Sequence, residues 1–320
     1  MNTFGNNFRI SIFGESHGAA VGILIDGCHP GIKISENDFS EDLGRRKPGA
    51  KGTTTRIEDD KPEIKSGVFQ GKTTGTPILI EFQNNNIRSK DYSNLVKHPR
   101  PGHADFVAQE KYKGFQDYRG GGHFSGRLTL ALVAAGVIAK KIVPEIQIEA
   151  QLKSVHGNID IEAAISHAIK QRDSVGGIVE CKASPMPIGI GEPFFNALES
   201  QIAHLAFSVP GVKGVEFGSG FEAATMMGSQ FNDLIDDKCG KTETNHSGGI
   251  NGGISNGNEL LYRVAVRPTA SISQVQSTFN FDSQSKENLE IKGRHDLCIA
   301  LRTPVIFEAI TAIVLADLSL

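Results

Sequence analysis

Three histidines stand in short segments suited to bringing an imidazole against a bound molecule. His17 lies in Gly14-Glu15-Ser16-His17-Gly18, where glycine permits a tight turn and lets a ligand approach the backbone. His103 lies in Pro99-Arg100-Pro101-Gly102-His103-Ala104-Asp105, a loop stiffened by two prolines and placed beside an arginine. His123 follows a triple glycine in Asp117-Tyr118-Arg119-Gly120-Gly121-Gly122-His123-Phe124-Ser125-Gly126-Arg127. Such rings offset developing negative charge or move protons. Taken singly, His17 is more simply a hydrogen-bonded turn residue, and His103 is balanced between the two readings.

The other candidates are anion binders. The triple glycine runs into an apolar stretch, so it is expected to expose successive backbone N–H groups at a helix N-terminus, where the helix dipole favours a phosphate. Arg267-Pro268-Thr269-Ala270-Ser271-Ile272 combines a cation with hydroxyls after a strand-like run, a set suited to a phosphoryl tail. Asn245-His246-Ser247-Gly248-Gly249-Ile250-Asn251-Gly252-Gly253-Ile254 holds paired glycines spaced as two turns against something flat. Gly293-Arg294-His295-Asp296-Leu297-Cys298 sets an acid beside two cationic groups, which also describes a structural ion-pair cluster. Arg45-Arg46-Lys47-Pro48-Gly49 reads as solvated surface or, because guanidinium forks match phosphate oxygens, as phosphate capture.

Composition narrows the classes. The chain has 320 residues, 39% hydrophobic and 22% charged, which is ordinary for a folded globular protein. A net charge of -3 offers no general attraction to nucleic acid or to an anionic membrane, so anions must be held by local clusters. The segment Gly67-Val68-Phe69-Gln70-Gly71-Lys72-Thr73 is one residue short of a P-loop, and Gly218-Ser219-Gly220 lacks the third glycine and acidic partner of a dinucleotide site. Four separated cysteines, Cys28, Cys181, Cys239 and Cys298, support neither a zinc ribbon nor a redox pair, and no metal site is expected. Asn245-His246-Ser247 matches a glycosylation acceptor by pattern alone, as no secretory leader is read at Met1–Asn7; reduced thiols and a cytoplasmic location are expected.

Elements must position these groups. Strand-like runs occur at Arg9–Phe13, Val21–Ile25, Ile146–Ala150, Gly177–Lys182 and Leu260–Val266. Leu128–Ala139 reads as a buried core helix, too short for a membrane span. Asp160 caps a helix bearing Ile161, Ala164, Ile165, Ala168 and Ile169, a second carries Leu198, Ile202 and Leu205, and a terminal helix starts near Pro304. No regular βαβ alternation is present, so the expected class is α+β, with antiparallel sheets and helices. Residues 1–320 are read as one domain, with a weak boundary near Pro144.

Taken together and in this order, the six motifs from Gly14-Glu15-Ser16-His17-Gly18 to Gly293-Arg294-His295-Asp296-Leu297-Cys298 resemble the chorismate synthase family over nearly the whole chain. The resemblance implies a sandwich of antiparallel sheets and helices, assembled as a homotetramer, with a flavin and the substrate in one pocket. It implies a trans-1,4 elimination of phosphate from 5-enolpyruvylshikimate 3-phosphate giving chorismate. Reduced flavin mononucleotide would lend and recover an electron without net redox change. By matching positions, His17 falls near the leaving phosphate, His103 near the flavin, and Asp296 where the C6 proton departs. Arg45, Arg46, Arg127 and Arg302 would hold the substrate's anions. His123, Phe124, Ser125, Gly211, Gly252, Arg267, Pro268, Thr269, Ala270, Ser271 and Arg294 would hold flavin.

Some positions depart from the family pattern. Gly52 replaces a common arginine, which weakens the case for NADP even though Arg46 matches one position associated with it. Leu128 stands where a Glu is frequent, Pro210-Gly211 where Asn-Ala makes a flavin contact, and Arg267 where Lys is usual. With no room for a reductase domain, reduced flavin is expected from an external source. A non-catalytic flavin-binding relative would be expected to lose His17, His103 or Asp296, and all three are present. A phosphate-ester hydrolase would need a metal cluster or a nucleophile beside a base, and neither spacing occurs.

Overall fold

A computed structural model of the chain describes residues 2–54, 59–85, 94–291, 293 and 295–320. The first sheet joins β1 (Thr3–Phe4), β2 (Arg9–Gly14), β3 (Ala20–Asp26), β4 (Glu63–Ile64) and, after the hairpin β5 (Val68–Phe69) and β6 (Lys72–Thr73), β7 (Ile78–Gln83), in the order β1-β2-β3-β7-β4. The second has the order β10-β13-β9-β8, from β8 (Gln147–Val155), β9 (Gly177–Ser184), β10 (Val212–Phe217) and β13 (Leu260–Val266). Two further hairpins are β11 (Ile250–Asn251) with β12 (Ile254–Ser255), and β14 (Gln276–Asn280) with β15 (Ser285–Leu289). The neighbouring strands in each sheet run antiparallel.

The helices are α1 (Ser40–Arg46), α2 (Asp105–Lys111), α3 (Thr129–Ile142), α4 (Ile161–Gln171), α5 (Leu198–Ser208), α6 (Gly228–Phe231) and α7 (Pro304–Ser319). Helices α3 and α7 lie against each other between the sheets, α3 meeting β3 and α7 meeting β8 and β9. Both are therefore apolar on most sides, and every residue from Val305 to Asp317 is buried. Their close approach depends on Gly136, where an added Cβ would come within 2.4 Å of Ala309 Cβ. The mixed helices and antiparallel sheets agree with the expected class.

Local expectations were met where period and punctuation coincide. Asp160 caps α4 by accepting from Ala163 N at 2.9 Å, and Leu198, Ile202 and Leu205 form the buried stripe of α5. Strands β7 and β10 were not anticipated. Asp317, buried at the end of α7, accepts through Oδ1 from the backbone N–H groups of Asn6, Asn7 and Phe8 at 2.8, 2.6 and 2.8 Å, and so ties the first sheet to the last helix.

The triple glycine departs from expectation. It does not open onto the N-terminus of α3 but forms its own turn over Arg119–Phe124, with positive φ at Gly120, Gly121 and Gly122, and a second turn, Gly126–Leu128, precedes the helix. Its glycines are required by contact with the histidine turn. An added Cβ at Gly120 would stand 2.0 Å from His17 Nδ1, and Gly122 O accepts from Ser16 N at 3.1 Å.

Candidate active site

A cavity of about 280 Å³ opens where the turn before α3, the C-terminal end of α1, the loop after β13 and the segment before α7 converge. Among the described residues five arginines line it, Arg46, Arg100, Arg127, Arg267 and Arg302, against two carboxylates, Asp60 and Asp296. An excess of guanidinium in a confined space is suited to a substrate carrying several anionic groups.

One cluster forms around Arg46. Its side chain is buried, and Nε donates to Thr129 Oγ1 at 3.0 Å while Nη2 donates to the carbonyls of Gly126 and Arg127 at 3.0 and 3.2 Å. Asp60 accepts from Arg127 Nη1 at 2.8 Å and from Arg46 Nη1 at 3.5 Å. Arg302 donates to the Arg46 carbonyl at 2.9 Å and to Asp296 Oδ2 at 3.0 Å. Burial, then the nearby Arg302, lowers Arg46 to about 9, with Arg127 adding to the effect and Asp60 opposing it. Arg46 therefore stays cationic at neutral pH, and a bound anion would offset the cost of burying its charge.

A second cluster holds His103. Arg100 clamps Asp105 through Nε and Nη2 at 2.7 and 2.8 Å and reaches Ser271 Oγ at 3.0 Å. The Asp105 carboxylate lies 2.5 Å from His103 Nδ1, which makes that nitrogen the N–H and leaves Nε2 on the side of Gly121. Burial would raise the Asp105 carboxyl, but the bonds from Arg100 and His103 outweigh it and hold it well below the usual carboxylate range.

His17 is buried beneath the lining, with Ser16 and Gly120 facing the cavity. Its turn is joined to the arginine cluster through Asn84, which donates to the carbonyls of Glu15 and Gly18 at 3.0 and 2.8 Å and accepts from Arg127 Nε at 2.5 Å. Asp296 accepts from Thr54 N at 2.8 Å. Gly52 has φ +93, and its carbonyl accepts from Leu297 N at 2.8 Å, so glycine at this departure from the family pattern brings the Thr54 segment to Asp296.

Phe124, Ser125, Gly211, Arg267, Thr269, Ala270 and Ser271 also line the cavity, with Val209, Pro210, Ile299 and Ile306 giving it an apolar side. Leu128 is a core residue. Five described sequence candidates do not line it, His17 beneath the lining being one. Arg45 turns away toward Glu308, in a different cleft, because adjacent residues on a helix point in different directions. His123 Nδ1 donates to Gly14 O at 2.8 Å, so its ring supports the N-terminal sheet. Pro268 is an exposed turn residue, and Gly252 is exposed at the tip of the β11–β12 hairpin. Arg294 lies outside the described residues. Asp60, Asn84, Arg100 and Asp105 carry much of the site's geometry without having been assigned a role. Arg100 and Asp105 had a signal, standing in the same motif as His103, whereas Asp60 and Asn84 had none.

The family model for chorismate synthase matches residues 8–320. The chain belongs to the chorismate synthase family. A chorismate synthase of Chitinophaga pinensis is 61% identical, with 100% of this chain and 97% of the relative covered. That of Methanocaldococcus jannaschii is 42% identical, with coverages of 99% and 96%. A crystal structure of a chorismate synthase superposes with a TM-score of 0.74 at 26% identity, covering 98% of this chain and 92% of that one. The activity is accordingly that of a chorismate synthase, a carbon–oxygen lyase that eliminates phosphate from 5-enolpyruvylshikimate 3-phosphate on the shikimate route to aromatic amino acids.

Proposed function

We propose that this cavity carries out the elimination with reduced flavin mononucleotide, and the observation that supports this best is its union of excess guanidinium with an apolar side. The cavity's own atoms fit a flavin. Thr269 Oγ1 is buried at the lining without a hydrogen-bond partner, and Arg267, lowered by burial, has Pro268 O as its acceptor at 3.0 Å. Val209, Pro210, Ile299 and Phe124 offer apolar surface to a ring system. When bound, reduced flavin would supply transient electron density to the breaking C–O bond. Gly211 and the Arg267–Ser271 loop would hold it, together with Phe124 and Ser125.

Arg46, Arg127 and Arg302 would bind the substrate's phosphate and carboxylates as charge-assisted partners. His103, oriented by Asp105, presents Nε2, which offsets negative charge when the ring is protonated on both nitrogens, and His17 supports the turn that receives the leaving phosphate. Asp296, held by Thr54 N and Arg302, would accept the C6 proton. Residues 1–320 act as one unit, because apolar residues of both halves join in a single buried cluster. We further propose a cytoplasmic homotetramer supplied with reduced flavin from outside the chain. Among the described residues no helix is long and apolar enough to cross a membrane. Gly52 offers no guanidinium where the family commonly has an arginine, which leaves little support for NADP.

The test is an anaerobic assay for chorismate with chemically reduced flavin mononucleotide. Many turnovers per flavin, with no net flavin oxidation, are expected. Consumption of one reduced flavin per product would refute the proposal.

A further inference from the structure

Asp60 sits between two of the cavity's arginines yet holds no proton-transfer geometry toward the substrate region. Its side chain is buried, it lines the cavity, and its two oxygens face Arg127 at 2.8 Å and Arg46 at 3.5 Å. Its backbone is left-handed, with φ 49, a conformation that non-glycine residues adopt at some cost and that persists where surroundings impose it. Both guanidiniums also have neutral partners. Arg46 is fixed by Thr129 Oγ1 and two carbonyls, and Arg127 by Asn84 Oδ1. What Asp60 adds beyond those neutral partners is negative charge shared by both cations.

We infer that Asp60 is a positioning residue that sets the charge of the Arg46–Arg127 pair, keeping its grip on phosphate loose enough for the product to leave. The inference rests on the reading that these arginines hold the substrate's anions. Removing the carboxylate makes the surroundings of the pair one unit more positive, and a phosphate produced in the cavity meets a deeper electrostatic well. Charges this close to buried guanidiniums are weakly screened, so the effect survives at physiological salt. A residue that merely braced the guanidiniums would act in the opposite direction, since its loss would misplace them and weaken anion binding.

The experiment is calorimetric titration of the full chain with inorganic phosphate, beside steady-state kinetics. Asp60→Asn keeps the shape and one acceptor oxygen while removing the charge. Phosphate affinity is expected to rise about tenfold, with both kcat and KM falling as release slows. Asp60→Ser, also neutral, carries the same expected sign and serves if Asp60→Asn does not fold. Asp60→Glu, which keeps the charge, is expected to bind phosphate within about threefold of the parent chain. Unchanged or weaker phosphate binding in the folded neutral variants overturns the inference. Arg127→Ala separates the layers: if it does not weaken phosphate binding, the anion-site reading itself fails and takes this inference with it. If it does weaken binding while the neutral Asp60 variants do not strengthen it, the Asp60 inference alone fails.

Discussion

Arg45 and Arg46 are consecutive on α1, and their guanidiniums enter opposite surroundings. Arg45 meets Glu308 at 2.5 and 2.7 Å, and Lys140 joins the same network, contacting Asp42 at 2.8 Å and Glu308 at 3.2 Å. There two cations face two carboxylates, and Glu308 also accepts from Ala150 N at 3.0 Å. Arg46 enters a cavity whose described lining has five arginines and two carboxylates, with Asp105 behind it paired to Arg100. A balanced cluster satisfies itself and supports the fold. An unbalanced one is complete when an anion arrives, and that deficit, more than burial or the presence of arginine, separates binding machinery from scaffold.

The largest expected effect tests the two arginines directly. Arg46→Ala removes charge-assisted contacts and should lower kcat/KM by about a thousandfold. Arg45→Ala should leave kcat/KM within about threefold while lowering stability by about 2 kcal/mol, because Glu308 stays buried with fewer partners. Kinetics and urea unfolding on both variants check this. Equal loss of activity in the two would erase the distinction.

The carboxylates sharpen it. Asp296→Asn keeps the shape and loses the basic oxygen, so it should fold, bind reduced flavin and substrate, and lose at least about a hundredfold in rate. Single-turnover measurements of C6–H cleavage would detect the loss, and near-full activity would return Asp296 to the role of a partner for Arg302. Glu308→Gln should instead leave turnover near that of the parent chain and act on stability against pH. Burial raises the Glu308 carboxyl, but Arg45 and Lys140 outweigh it and hold it below its ordinary value of 4.5. A carboxyl depressed in the folded state contributes stability above that ordinary value and loses the contribution as pH falls through the folded one. Glu308→Gln is therefore expected to be about 2 kcal/mol less stable at neutral pH, with the difference narrowing below about pH 4.5. A constant gap from pH 7 to pH 3 would contradict the assigned charge network.

The sequence carried the scaffold wherever local signals agreed. Leu260–Val266 and the helix from Pro304 were legible because alternation or continuous apolarity ends at clear turn residues. Strand β10 was not, since Lys213, Gly214 and Glu216 interrupt its apolar pattern on a partly open face. Of the site, the motif residues His103, Asp296 and Arg127 were legible and did meet at one cavity. Asp60 was not, because an Asp59-Asp60 pair reads as solvated charge. The arginines that bury it lie 14 and 67 residues away in the chain. Arg45 lies away from the cavity for the converse reason: an arginine pair announces cations but not the side of a short helix on which each will fall.

Helix α7 follows every other element in the chain, yet it lies at the centre of the packing and anchors Asn6, Asn7 and Phe8 through Asp317. During synthesis the first sheet leaves the ribosome long before the helix that must sit beneath its partner layer. Until then α3 and the second sheet expose the apolar surfaces that α7 will cover, and the turn bearing His17 hangs from a sheet with one anchor missing. Until α7 docks, those apolar surfaces expose the nascent protein to aggregation, and its active site takes shape only with that docking.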